Sequence, residues 1–147
     1  MNLSLKNRSK AFYIQLVTGV IALISSILFL IIELTVVRGH ISFPDNTLFT
    51  FLFVLVGGLL SLACCFTQIE FLAIISTILY GCGVGQHLFM SCYPYADLAT
   101  GVAFFVDSGE FALTVSNIFT TFLVIFALLM VLSIVVCFLD KKQEQKA

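Results

Sequence analysis

Tryptophan is absent from this chain, proline occurs only twice, and charged residues fill just 10% of its 147 positions. A soluble domain carries about 25% charged residues, so the scarcity of charge excludes a water-soluble monomer. Seven basic residues against eight acidic ones leave a formal net charge of -1. No basic cluster is large enough to meet a phosphate backbone, which excludes a nucleic-acid partner. The five cysteines, Cys64, Cys65, Cys82, Cys92 and Cys137, form no C-x-x-C pair and no Cys/His set at zinc spacing. No disulfide framework, metal site or cofactor is therefore expected. Cys64, Cys65, Cys82 and Cys137 read as small apolar residues inside a bundle. Lacking tryptophan, an interfacial aromatic belt would have to rest on Tyr13, Tyr80, Tyr93 and Tyr95.

What the chain has in abundance is apolar sequence, 61% of all residues, at a mean hydropathy of +1.14. The predominantly apolar runs cover residues 11–37, 48–66, 71–90 and 111–139. About 20 residues suffice to cross a bilayer, so four transmembrane helices are expected. The first run is too long for the apolar core of a signal peptide, roughly 7–15 residues. The fold class predicted is an all-α integral membrane protein, a four-helix bundle over 11–139 between short polar tails, 1–10 and 140–147. Lys6, Arg8, Lys10, Lys141, Lys142 and Lys146 all lie in or beside those tails. The positive-inside rule then puts both termini in the cytosol, and a plasma-type (inner) membrane is the expected location.

The connections differ in character. Pro44, Asp45 and Asn46 suggest a turn before the second span, with Asp45, Asn46 or Thr47 as its cap. Thr67 and Glu70 match a capping box that would open the third span after a tight hairpin. The last extracytoplasmic loop, 91–110, contains Tyr93-Pro94-Tyr95 and the apolar piece 98–106. That piece is too short to span and reads as a short interfacial or re-entrant helix capped by Asp97.

Small and polar residues recur on one side of each span, as expected where helices associate in lipid through close packing and hydrogen bonds. The stripes are Gln15, Gly19, Ser26 and Glu33; Thr50, Val54, Gly57, Ser61 and Cys64; Ser76, Tyr80, Gly83 and His87; and Thr114, Asn117 and Thr121. Gly81 and Gly85 form a GxxxG pair on a neighbouring face of the third span.

Glu33, His87 and Asn117 should fall in the outer third of the bilayer, with Gln86 at the same depth on another side of its helix. A carboxylate there needs a partner. Arg38 lies about 140° around an α-helix from Glu33 and is better placed to snorkel. His87 is the expected partner, linking the first and third helices, so Glu33, Gln86, His87 and Asn117 form the candidate binding cluster. No nucleophile, base and orienting group form a recognisable catalytic set.

Two functions follow. One is a non-catalytic multi-pass subunit or scaffold of a membrane complex. It would contact a partner protein or lipid through Tyr93, Tyr95, Asp97, Phe104 and Phe105 of the outer loop; besides the lipid bilayer, a protein partner or a homo-oligomer is expected. The other is a small transporter or channel component with an ion- or substrate-linked site at Glu33 and His87. In architecture the chain resembles the small multidrug transporters, which also carry a glutamate in the first helix. Here the glutamate lies nearer the outer face.

Overall fold

A computed structural model describes residues 10–41, 46–67 and 69–139. The basic residues expected to orient the chain, except Lys10 and Arg38, lie outside these residues, as do Pro44 and Asp45. Four α-helices dominate: α1 (Lys10–Ile32), α2 (Thr47–Thr67), α3 (Glu70–Thr100) and α4 (Gly109–Phe138). A π turn, Glu33–Val37, and a 3-10 turn, Arg38–His40, prolong α1. All four helices are long and apolar enough to cross a membrane, and the described residues contain one isolated β-bridge but no strand.

Each helix packs on the next, and α4 returns to α1. A closed helical bundle suits lipid because every interior backbone N–H is bonded within its own helix. The faces turned outward are greasy, with Ile24, Leu59 and Leu128 among the exposed residues.

Close approach is achieved at particular glycines. A Cβ on Gly58 would lie 3.1 Å from Ala22 Cβ and 3.3 Å from the Gly19 carbonyl, so this pair lets α1 and α2 touch. The adjacent Gly57 faces α3, where a Cβ would lie 2.9 Å from the Tyr80 ring. The Gly57-Gly58 pair therefore serves both neighbours of α2. The expected stripes on α1, α2 and α3 are all buried.

Several expectations are corrected. Thr114, Asn117 and Thr121 share a side of α4, but it is the exposed one; the buried side carries Val115, Phe119, Phe122 and Phe126. In a bundle interior already rich in aromatics, ring packing rather than polarity chooses the inward face. Gly85 meets nothing within 4 Å and Gly81 only the Met130 sulfur at 3.8 Å, so the GxxxG pair does not bring helices together. Cys64 and Cys65 are buried as expected, whereas Cys82 and Cys137 are exposed. Tyr80 is no belt residue: it is buried and hydrogen-bonded to Ser61 Oγ at 3.1 Å. Thr67 ends α2 and donates to the Ala63 carbonyl at 2.9 Å, while Ile69 precedes α3 without a side-chain cap.

The largest difference concerns α3. It continues through Pro94 to Thr100, and residues 101–108 form no helix. The expected helix over 98–106 is thus split between the last turn of α3 and an irregular strap. Proline inside a helix costs about 3 kcal/mol, but bonds on both sides of Pro94 hold the turn. Ser91 donates to the His87 carbonyl at 2.8 Å, and Tyr95 hydrogen-bonds Thr120 of α4. Gly101, at φ 68°, ends the helix in the left-handed conformation that glycine tolerates best.

Candidate functional site

The two long connections lie at one end of the bundle, called here the cap end. There α1 ends and α4 begins, each under local control. At Glu33–Val37 the Arg38 N–H reaches back to the Glu33 carbonyl, an i to i+5 bond. The widened turn keeps Phe29, Glu33 and Val37 all buried on one side. It also brings Arg38 nearer to the side of Glu33 than the 140° of a regular helix. Ser108 caps α4, accepting from the Phe111 N–H at 3.2 Å, and Glu110 in the first turn complements the helix dipole.

The strap between α3 and α4 is held by one carboxylate. Asp97, 3% exposed, accepts the Phe104 N–H at 3.1 Å through one oxygen and the Phe105 and Val106 N–H groups, both at 2.9 Å, through the other. Three successive amides are thereby satisfied away from any regular ladder, and a charged acceptor makes each bond stronger than a neutral one. Asp97 was expected to cap a helix; it instead folds the strap back over the end of α3.

The strap is tied to α1 as well. Ile41 and Val106 form the antiparallel bridge, and the Asp107 N–H donates to the His40 carbonyl at 3.2 Å. On the outside His40 Nδ1 lies 2.7 Å from Asp107 Oδ2. Beneath, Val37, Met90, Val106, Ala112, Val115 and Phe119 make an apolar plug. Above it, Phe104 is 67% exposed, with Val102, Leu98 and Tyr95 also exposed and Phe105 partly covered against Tyr93. The end of α3 and the strap thus present an apolar, aromatic surface on a backbone braced by Asp97 and by the end of the first span.

The predicted polar cluster is only partly assembled. Glu33 is fully buried, and its Oε1 accepts from Thr47 Oγ1 of α2 at 3.1 Å. His87 is also fully buried, but its Nε2 donates to the Phe119 carbonyl at 2.8 Å, and its ring packs among Phe29, Phe119 and Phe126. A carbonyl only accepts, so Nε2 carries a proton. His87 Nδ1 has no hydrogen-bond partner among the described residues, and no hydrogen bond joins His87 to Glu33. Phe29 lies one turn below Glu33 and fills the space beside the imidazole.

Gln86 is partly buried on another face, and Asn117 faces outward, so neither joins Glu33 and His87. Thr47 was considered only as a helix cap, and Thr50 and Ser116 add buried hydroxyls without a partner among the described residues. A threonine at the start of a span, opposite a carboxylate near the end of the preceding one, was the available signal. No group of three metal-ligating side chains occurs among the described residues.

These features define a class, a four-helix bundle of multi-pass membrane type, braced at one end by a two-loop cap. Comparison with known protein families, with curated proteins and with solved structures finds no match.

Proposed function

We propose that this chain is a non-catalytic subunit or scaffold of a membrane complex, docking a protein partner through its cap. In this reading it sits in a plasma-type membrane with both tails cytosolic and the cap outside. The observation that carries it is the Asp97 brace, three backbone bonds that fix the strap displaying Val102 and Phe104. Apolar side chains fixed before binding lose little conformational freedom on docking, which favours association. The partner should offer an apolar surface at the membrane–water boundary, where the exposed Tyr95 and Phe104 can be received.

Copurification from mild detergent tests this reading. The parent chain should retain a stoichiometric partner, and the double substitution Val102→Ser with Phe104→Ser should release it without changing the thermal midpoint of the bundle. A partner retained by the double variant would remove the cap from consideration.

A second reading, an ion- or substrate-linked transport component, draws support from the buried carboxylate of Glu33 and the unpartnered Nδ1 of His87. Both groups would act from separate places, one against Thr47 and the other against Phe119. Under it Glu33→Gln changes flux in vesicles; under the docking reading Glu33→Gln leaves partner retention intact.

A further inference from the structure

The outward side of α4 carries a pattern that neither the bundle nor the cap uses. Thr114, Asn117, Thr121, Val124, Leu128 and Val131 are all exposed and follow one another at alternating steps of three and four residues. They lie opposite the buried side of the helix. A 3.5-residue repeat of this kind is the seam of a left-handed helix pair. The outward side of α1 keeps the same spacing at Val20, Ile24, Ile27 and Ile31, so what sets α4 apart is Asn117, among the described residues the one exposed carboxamide within the four spans.

Asn117 lies eight residues into α4, about 12 Å from its start at a rise of 1.5 Å per residue. It is within one turn of Phe119, whose carbonyl takes the His87 proton inside the bundle. A carboxamide on the lipid-facing side of a span is costly unless bonded. The neighbouring hydroxyls are settled locally, Thr114 donating to the Glu110 carbonyl and Thr121 to the Asn117 carbonyl. The Asn117 carboxamide makes no hydrogen bond to any described residue.

We propose that this seam binds a second copy of the same chain, with Asn117 opposite its own counterpart. A carboxamide is both donor and acceptor, so it is its own complement: two facing copies exchange a pair of N–H···O bonds across a two-fold axis. Two copies inserted in the same orientation have parallel α4 helices, and the axis along the membrane normal then pairs each seam residue with itself. Val124, Leu128 and Val131 continue the contact toward the other leaflet by close packing. Glu110 falls on the same line at the cap end, where the helix emerges and the two carboxylates can turn into water.

The test uses the full chain in lipid vesicles, with the exposed Cys82, Cys92 and Cys137 replaced by serine. Single cysteines at Val124→Cys and Leu128→Cys should cross-link into a dimer on oxidation. Ile24→Cys and Leu59→Cys, exposed on α1 and α2, should not. Asn117→Leu should weaken dimerisation by about 5- to 30-fold, the range expected for interhelical hydrogen bonds in lipid, while Asn117→Gln should largely preserve it. Equal cross-linking at all four positions would overturn the proposal, as would a product containing a different protein. A dimer of Asn117→Leu as tight as the parent would overturn it too, provided each variant keeps the parent's thermal midpoint.

Discussion

Gly83 and Gly85 stand two residues apart on α3 and meet opposite surroundings. A Cβ on Gly83 would lie 2.9 Å from Val54 Cγ2, on a β-branched side chain with little freedom to move, whereas nothing lies within 4 Å of Gly85. Gly83→Ala should therefore cost about 1–3 kcal/mol by overpacking. Gly85→Ala should be neutral or gain about 0.5–1 kcal/mol through helix propensity. Thermal unfolding midpoints in mild detergent separate the two outcomes, and equal losses would mean that α2 and α3 do not meet at Gly83. The stripe containing Gly83 was legible in the sequence because a residue four positions from His87 and three from Tyr80 must share their face. Asn117 was misplaced by the same rule. Spacing shows which residues share a side, but not which side faces inward, and on α4 the phenylalanines took the interior. The partners of Glu33 and His87 were hidden for another reason. The π turn changes the phase of the helix at Glu33, and Phe29 occupies the ground between the two ionisable groups.

At the scale of elements, α3 holds the main lesson. Pro94 and two tyrosines suggested a loop, yet the helix runs on to Gly101, whose left-handed conformation ends it. Thr100-Gly101, four residues after Asp97, is the local signal that marks this end. The Gly101 N–H donates to the Asp97 carbonyl at 2.9 Å, while the Asp97 side chain takes the strap. One residue thus closes the helix with its backbone and redirects the chain with its carboxylate. Gly101→Ala forces a Cβ into the left-handed region and should cost about 1–2 kcal/mol. Gly101→Asn should cost less, because asparagine tolerates that region better. Chemical or thermal unfolding in detergent measures both, and an alanine variant as stable as the parent would contradict a left-handed residue at this helix end.

For the whole molecule, the four apolar runs were enough to give four helices in sequential contact, because lipid leaves few other ways to satisfy a backbone. The cap was not readable in this way. It joins Ile41 to the much later Asp97 and Val106, residues that obey no common period, through a mixture of side-chain and backbone bonds that no repeat announces. It is also where the proposed docking rests: a loose strap would present Val102 and Phe104 only at the cost of being ordered on binding. The most direct test of a braced cap is hydrogen exchange over Phe104, Phe105 and Val106 in lipid nanodiscs, comparing the parent with Asp97→Ala. A hydrogen bond to a charged group contributes about 1.5–3 kcal/mol, so the parent amides should exchange about 10- to 150-fold more slowly than those of the variant, with α1, α2 and α4 unchanged. Exchange in the parent at the rate of an open chain, or no difference between the two proteins, would contradict the account.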